Sequence, residues 1–298
     1  MQYEHILSFV NSTPWALLPE KLAVILDLLA FRASGQTLSD EEIRMRIGAA
    51  APRQSSQNGA IAVLPLYGTI IPRGNMMLES SGATSVERFG AAFRGALNDP
   101  SISGIVIDID SPGGAVTGVD ELAAEIFNAR GQKPISAIAS PMAASAAYWI
   151  GTAADNLSVT PTGEVGSIGV FAAHRDISGM MEKDGIKTTL ISAGKYKTEG
   201  NPYEPLTDEA RASIQDRVSD YYGMFVDAVA RNRGVETKHV RNGMGEGRIV
   251  GARQALSLGM ADRVETMDEM IRRLMEPQQK RNRTAAVKAE WDWLKARS

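Results

Sequence analysis

The sequence predicts an α/β fold in which βαβ units build a mainly parallel sheet. Apolar, β-branched runs typical of buried strands alternate with segments of helical periodicity. The strands are expected at Ala60–Leu66, Ile105–Ile109, Ile135–Ile138, Leu157–Val159 and Thr188–Ile191. The helices are expected at Ser85–Leu97, Gly118–Ala129, Ala143–Ala153, Asp176–Lys183 and Asp208–Arg233. Alternation at this short spacing favours right-handed crossovers between neighbouring parallel strands.

Three regions are predicted along the chain. Residues 1–58 are expected to be a helical N-terminal extension and linker, because Pro19 opens an amphipathic stretch and Ala49–Gly59 is small, polar and without periodicity. Residues 59–275 carry the β–α alternation and form the main domain. Residues 276–298 form a basic, tryptophan-containing C-terminal tail, for which a solvated helix is the simplest interpretation.

Composition excludes several kinds of chemistry. The 298 residues are 44% hydrophobic and 22% charged, as in ordinary globular proteins. A net charge of -3 provides no basic field, so no nucleic-acid partner is expected. The chain has no cysteine, which excludes disulfides, thiolate metal sites and a cysteine nucleophile, and it has three histidines. We therefore expect no metal and no cofactor.

No membrane span is expected from the sequence. The apolar stretch from Trp15 to Phe31 is interrupted by Pro19 and by charged residues, whereas a bilayer span needs about 20 consecutive apolar residues. The N-terminus also lacks a basic targeting region. The expectation is a cytoplasmic protein.

The first segment that could carry chemistry is Ile107–Gly114, where a buried strand ends in Asp-Ser-Pro-Gly-Gly. Proline and paired glycines allow a tight turn with exposed backbone N–H groups, and such loops bind ligands in α/β sheets. A plain β–α turn is the alternative, and this motif alone favours it. Asp108 and Asp110 share one strand face and are expected to pair locally.

The second segment is Ala143–Ala147, which has Ser145 at its centre. A nucleophilic serine between a strand and a helix needs small neighbours because the backbone is crowded there. The alternative is a small residue in a closely packed, alanine-rich helix. The segment alone does not decide between these interpretations.

Two further segments contain candidate polar groups. Gly163–Val170 does not match a phosphate-binding loop and is interpreted as a tight turn with Ser167 pointing inward. Gly194–Thr198 contains Lys195 and Lys197, and a lysine can act as a general base to a serine when burial lowers its pKa. Two solvated lysines are the alternative, and periodicity does not choose between them.

Together, these motifs resemble the signal peptide peptidase A family of serine peptidases. The ordered set is Asp-Ser-Pro-Gly-Gly, Ala-Ser-Ala-Ala-Tyr-Trp, Gly-Ser-Ile-Gly-Val, Gly-Lys-Tyr-Lys and the segment Gly247–Gly259. The resemblance spans roughly Ala60 to Val264. The family includes cellular membrane-bound members and phage capsid-assembly (head maturation) proteases. Membership implies a crotonase- and Clp-protease-like fold and a Ser–Lys catalytic dyad.

The resemblance assigns a role to each matching residue. Ser145 resembles the nucleophile, Lys197 the general base, and Ser167 the serine that orients the lysine. The backbone N–H groups of Gly114 and Ala146 resemble the oxyanion hole. The nucleophile is usually followed by Gly-Gly, but here alanines follow it, and alanine can still donate its N–H. Because the base has to be neutral, we expect Lys197 to be buried.

The resemblance implies a serine endopeptidase that acts on extended polypeptide and forms a ring-like homo-oligomer. Phage portal, capsid or scaffold proteins are the expected partners, in the bacterial cytoplasm or the phage prohead. The alternatives are a cellular signal-peptide or protein-degrading peptidase of the same family, a crotonase-like acyl-CoA enzyme, and an inactive assembly scaffold. Self-processing is expected in the linker Ala49–Gly59, which is small and exposed.

Overall fold

The computed structural model describes residues 13–33, 39, 41–42, 45, 55–58, 60–74 and 82–276. The predicted tail from residue 277 and most of the predicted linker lie outside these residues. The strands are β1 (Trp15–Leu17), β2 (Ser56–Asn58), β3 (Ile61–Tyr67), β4 (Ile70–Ile71), β5 (Thr84–Ser85), β6 (Gly104–Ser111), β7 (Gly113–Ala115), β8 (Ile135–Ala144), β9 (Asn156–Val159), β10 (Glu164–Gly166), β11 (Ile249–Gly251) and β12 (Arg263–Val264). The helices are α1 (Pro19–Ala33), α2 (Val86–Asn98), α3 (Val119–Asn128), α4 (Ala146–Thr152), α5 (Ser178–Lys183), α6 (Asp208–Arg233), α7 (Thr237–Gly243), α8 (Ala252–Ser257) and α9 (267–276).

The larger sheet is mainly parallel, as predicted. In the described part of the chain its strand order is β11-β10-β8-β6-β3-β2, with β9 paired to β8 and β12 to β9. The inner pairs β3–β6, β6–β8 and β8–β10 are parallel, and the outer pairs β2–β3 and β10–β11 are antiparallel. Strand β6 is buried almost throughout, which is typical of a parallel sheet covered on both faces. The α/β fold of βαβ units is confirmed.

A second, smaller sheet has the order β1-β7-β4-β5. Its strand β1 belongs to the N-terminal extension, which the sequence predicts to be helical. The helix begins only at Pro19, a residue favoured at the first helical position. Proline also disfavours helical backbone at the preceding residue, Leu18, so the chain before it runs extended. The N-terminal extension therefore contributes a strand to the main body of the fold.

Two predicted elements differ from the structure. Helix α4 begins at Ala146 rather than at Ala143, because Ala143 and Ala144 pair with neighbouring strands at the end of β8. The strand predicted at Thr188–Ile191 is not formed, and Ile191 is 96% exposed. Alanine favours helices, and β-branched residues favour strands, but pairing with neighbouring strands decides both outcomes.

Helix α4 is short and is anchored in the core by packing and hydrogen bonds. All seven of its residues are buried. The ring of Trp149 stacks on Phe225 of α6 with centroids 4.5 Å apart, and the Tyr148 hydroxyl donates to the Met260 carbonyl at 2.9 Å. Burial raises the pKa of Tyr148, so the phenol stays neutral and remains a donor. These contacts hold the start of α4, which follows Ser145 directly.

Candidate active site

Three predicted motifs meet at one edge of the larger sheet. The Asp-Ser-Pro-Gly-Gly turn follows β6, Ser145 follows β8 and Ser167 follows β10. These three strands are parallel neighbours, so their carboxyl ends lie side by side. This edge is where open α/β sheets bind ligands.

Ser145 has a strained backbone conformation that neighbouring residues hold in place. Its φ is 55° and its ψ is -119°, and the side chain is 1% exposed. Its N–H donates to the Gly166 carbonyl at 2.7 Å, and its Oγ donates to the Gly169 carbonyl at 3.4 Å. A positive φ costs a residue other than glycine about 1–3 kcal/mol and persists where neighbouring structure enforces it. Ser145 thus occupies a sharp strand-to-helix turn rather than an ordinary helical position.

Ser167 lies next to Ser145 and is also strained. Its φ is 55°, it is 6% exposed, and its N–H donates to the Arg248 carbonyl at 2.8 Å. Gly166 before it has a φ of 118°, and a methyl group there would lie 2.7 Å from the Arg248 carbonyl oxygen. Since Ser145 donates its N–H to Gly166, the two serines are held at adjacent strand ends.

The Asp-Ser-Pro-Gly-Gly turn is fixed by its own serine. The Ser111 hydroxyl donates to the Gly68 carbonyl at 2.6 Å and accepts from the Gly113 N–H at 3.2 Å. Asp108, three residues before the end of β6, accepts a hydrogen bond from the Tyr67 hydroxyl. The partner lies on the neighbouring strand β3, 41 residues away in the chain, so the prediction that Asp108 pairs locally is wrong for this contact.

The two glycines of this turn, Gly113 and Gly114, allow the backbone to approach Ser145. Gly113 has a φ of 100°, and a methyl group there would lie 2.9 Å from Ser145 Cβ. A methyl group on Gly114 would lie 1.9 Å from the Ile70 carbonyl oxygen. Neither position has room for a side chain. Beside this turn, Ala146 begins α4, where the first N–H groups have no intrahelical acceptor.

Lys197 is not brought to Ser145 within one chain. It lies in an exposed turn, so the predicted burial of this lysine is wrong for the single chain. Among the hydrogen bonds of the described residues, none joins Lys197 to Ser145 or Ser167. The structure therefore unites the predicted nucleophile and backbone donors and leaves the predicted base apart from them.

Lys195, the other candidate base, forms an ion pair with Glu209. Its Nζ lies 2.8 Å from Glu209 Oε1 and 2.7 Å from the Tyr196 hydroxyl. The hydrogen bond to Glu209, and then that to Tyr196, raises the pKa of Lys195 above its ordinary value. A lysine with a raised pKa holds its proton at neutral pH and is a poor base.

A cavity of about 450 Å³ is lined by Gly169, whose carbonyl accepts the hydroxyl of Ser145. One wall is the segment Ile168–Val170, and another is helix α6. Further lining comes from Gln215, Ser219, Tyr222, Arg241 and Glu246. The sequence analysis missed these residues. Few features of the sequence indicate that these residues line a cavity, because α6 is polar along most of its length and its exposed face resembles any solvated helix face.

The two described histidines are used elsewhere. His174 Nε2 lies 3.0 Å from the Asn201 carbonyl, and His239 Nε2 lies 3.3 Å from the Leu258 carbonyl. In the described ranges, no group of three or more His, Asp or Glu residues is placed to hold a metal ion. Over the same ranges, every helix is too short or too polar to cross a membrane.

Comparison with known proteins identifies the family. The model of peptidase family S49 matches residues 128–281, more than half of the chain. The chain is 32% identical to "Capsid assembly protease C" of Escherichia phage lambda over 90% of its own length and 64% of the relative's. It is 34% identical to "Head-tail preconnector protein GP5" of Enterobacteria phage P21, over 71% of its own length and 42% of the relative's. "Serine protease SPPA, chloroplastic" of Arabidopsis thaliana is 27% identical over 71% of this chain and 31% of that protein.

These relatives are all matched over less than two thirds of their own length. The matched part nevertheless includes most of this chain in each case. Together with the family model, they confirm the resemblance stated from the motifs, and the mixed α/β sheet is the fold that the resemblance implies. The chain belongs to peptidase family S49.

Proposed function

We propose that the chain is a serine endopeptidase in which Ser145 attacks the carbonyl of an extended polypeptide. The observation that carries this proposal is the geometry of Ser145: a strained, buried serine between β8 and α4, beside a glycine turn. The N–H groups of Gly114 and Ala146 would stabilise the oxyanion that forms. Membership of a peptidase family favours this function over the acyl-CoA enzyme and the inactive scaffold.

The general base is Lys197, and we infer that a second copy of the chain supplies it. A Ser–Lys dyad needs contact between the two side chains, whereas Ser145 is buried and Lys197 is exposed in one chain. The segment around Lys197 is rich in exposed apolar side chains, a composition that favours burial against another protein. These side chains are Met180, Ile186, Leu190, Ile191, Tyr196 and Tyr203. A homo-oligomer would cover them and bring Lys197 to a neighbour's Ser145.

The proposed chemistry follows from these positions. Ser145 Oγ attacks the peptide carbonyl as its proton passes to Lys197 Nζ, which gives a tetrahedral intermediate. The intermediate collapses to an ester on Ser145, and the amine leaves with the proton from the lysine. Water, deprotonated by the same lysine, then hydrolyses the ester. Ser167, at the adjacent strand end, would hold the lysine amine in place.

Complementation between two inactive variants tests the shared site. Ser145→Ala and Lys197→Met are each expected to be inactive. When the two are co-expressed, serine from one copy and lysine from another can form intact sites, and random assembly predicts about a quarter of wild-type activity. Hydrolysis of casein and labelling of Ser145 by a fluorophosphonate probe are the measurements. Lys195→Met is the matched control and should remain active.

The outcomes separate the parts of this proposal. Absence of activity in a mixture that co-assembles would show that the lysine does not come from another copy. Full activity of Lys197→Met alone would exclude it as the base. A folded and oligomeric protein that stays unlabelled and inactive in the wild type and in every variant that keeps Ser145 and Lys197 would overturn the peptidase function.

The natural substrate is proposed to be a phage head protein. Two relatives are named as a capsid assembly protease and a head-tail preconnector protein, and those names motivate the proposal. Portal, capsid and scaffold proteins encoded near the gene are the candidates. Co-expression with each candidate, followed by mass-spectrometric mapping of new N-termini, tests it. Fragments that also form with Ser145→Ala would not be products of this protein.

A further inference from the structure

The N-terminal strand β1 lies where a polypeptide substrate would have to bind. It is antiparallel to β7, with Trp15, Ala16 and Leu17 opposite Ala115, Gly114 and Gly113. On its other side the Trp15 N–H donates to the Phe171 carbonyl at 2.8 Å, and the Phe171 N–H donates back at 2.9 Å. Strand β1 is thus bound on both edges, as an extended peptide is when it adds to a sheet.

In the register of β1, the carbonyl of Ala16 lies opposite the backbone N–H of Gly114, the proposed oxyanion donor. Two hydrogen bonds flank the Ala16–Gly114 pair: Val116 N–H to the Pro14 carbonyl at 3.3 Å, and Leu18 N–H to the Pro112 carbonyl at 3.1 Å. Hydrogen-bonded pairs alternate along antiparallel strands, so Ala16 and Gly114 exchange both of their hydrogen bonds. The Gly114 N–H therefore donates to the Ala16 carbonyl oxygen.

The same carbonyl is close to the nucleophile. A methyl group built on Gly113 would lie 2.2 Å from the Ala16 oxygen and 2.9 Å from Ser145 Cβ, so both atoms border one small space. Ser145 in turn donates its hydroxyl to Gly169, two residues before the Phe171 that pairs with β1. The groove that holds β1 is thus bounded by the glycine turn, the nucleophile and the segment 168–171.

Strand β1 is held firmly in this groove. Trp15 and Leu17 are each 2% exposed and pack with Leu22 of α1, with Ala115 and against Phe171. Ala16 is fully buried on the opposite face, within the main core. Its small side chain allows the backbone to lie against the glycine turn.

We propose that β1 is an intramolecular inhibitor that occupies the substrate groove and must leave before a substrate strand binds. This inference rests on the proposed peptidase function. While β1 is bound, the Gly114 N–H is hydrogen-bonded to the Ala16 carbonyl and the edge of β7 is occupied. Neither a substrate strand nor a small acylating probe can then reach Ser145 and the Gly114 N–H. The folded chain is therefore latent, with an active fraction set by how often β1 is released.

A reversible cross-link on the full chain tests the inference. Trp15 and Ala115 form a non-hydrogen-bonded pair, whose Cα spacing of about 4.5 Å suits a disulfide. The natural chain has no cysteine, so a Trp15→Cys/Ala115→Cys variant forms one defined cross-link. Ser56→Cys/Val63→Cys, across the antiparallel β2–β3 pair, is the matched control away from the groove.

The expected result is a thiol-dependent switch. The oxidised Trp15/Ala115 variant should be labelled by a fluorophosphonate, and should cleave casein, at least about tenfold more slowly than the reduced form. The reduced form and the single Trp15→Cys variant, which loses the buried anchor, should exceed the wild type. The Ser56/Val63 control should not respond to reductant.

The outcomes distinguish this inference from the proposed function. Equal labelling and cleavage in the oxidised and reduced forms would overturn the inhibitory role of β1 and leave the peptidase function intact. A folded protein that is inactive in every form would overturn the function, and the inference with it. Single-cysteine variants whose activity does not respond to reductant show that a response seen in the double variant comes from the cross-link.

Discussion

The two halves of the proposed catalytic site differ in how they are built. Ser145, Ser167 and the glycine turn lie at buried strand ends, where backbone hydrogen bonds and close packing fix each position. Lys197 lies in a segment without strands, among exposed apolar side chains. The proposed nucleophile and oxyanion donors can therefore be preorganised by a single chain, whereas the proposed base depends on what covers the segment around Lys197. A protease built in this way would be active only when assembled.

The largest expected effect comes from removing either member of the dyad. Ser145→Ala and Lys197→Met should each lower the rate of casein cleavage by roughly 10³-fold or more, and the double variant should be little worse because the residues act as a unit. Steady-state hydrolysis by the purified oligomer is the measurement. Lys195→Met should keep most of the activity, since this lysine pairs with Glu209. If His174→Ala abolished cleavage and Lys197→Met did not, the Ser–Lys mechanism would be wrong.

The next effect should come from filling the glycine turn. Gly114→Ala would bring a methyl group to 1.9 Å from the Ile70 carbonyl oxygen, so β4 or β7 has to shift. We expect a loss of about 1–3 kcal/mol in the free energy of unfolding, as for other overpacked sites, together with loss of labelling at Ser145. Urea unfolding and fluorophosphonate labelling measure the two effects. Unchanged labelling would contradict the expected displacement of the N–H at position 114, the proposed oxyanion donor.

Two ion pairs, one in each region, should differ in their effect on stability. Arg233 and Asp262 form two parallel hydrogen bonds of 2.7 and 2.8 Å, and Asp262 also accepts from the Leu157 N–H. Asp262→Asn should lower the free energy of unfolding by about 1 kcal/mol, a value reduced because the carboxylate is partly exposed. Lys195→Met removes an exposed pair and should change stability far less, as thermal unfolding would show. Equal losses of unfolding free energy in Asp262→Asn and Lys195→Met would contradict the expected difference between the two ion pairs.

The same carboxylate should make stability depend on pH. Burial raises the pKa of Asp262, but the hydrogen bonds from Arg233 and the Leu157 N–H lower it more, so the folded pKa lies below its usual value. This stabilisation is present above the unfolded pKa of about 3.9 and is lost as pH falls through the folded pKa. The difference in stability between the wild type and Asp262→Asn should therefore shrink in acid. A difference that is constant from neutral pH to strong acid would be inconsistent with this linkage.

The smallest effect is expected from a glycine in the polar helix. Gly223 lies within α6, and a methyl group there meets no atom within 4 Å. Gly223→Ala should raise the free energy of unfolding by about 0.5–1 kcal/mol, because alanine loses less backbone entropy in a helix. Differential scanning calorimetry would measure the change. A decrease would mean that this face of α6 is covered in the assembled protein.

The sequence alone determined the α/β class, the parallel strands and the motifs that surround Ser145, the proposed nucleophile. Buried parallel strands are continuous apolar runs, which can be recognised in the sequence. Tight turns need glycine or small residues, and these are present in Asp-Ser-Pro-Gly-Gly and around Ser145. Such features depend on residues near each other in the chain. The helix at Asp208–Arg233 was predictable for the same reason, since Thr207 caps its first turn and Gly234 ends it.

Only the tertiary structure decided which segments meet. Trp15–Leu17 is extended because β7 and Phe171 offer it hydrogen-bonding edges, and those partners are about a hundred or more residues away in the chain. Thr188–Ile191 has the composition of a strand but pairs with no strand among the residues that the structure describes, and it is irregular and exposed. A strand forms only when it pairs with another strand, and the residues of a segment do not indicate which distant segment that partner is. For the same reason, the sequence could name Ser145 and Lys197 but could not say that one chain holds them apart.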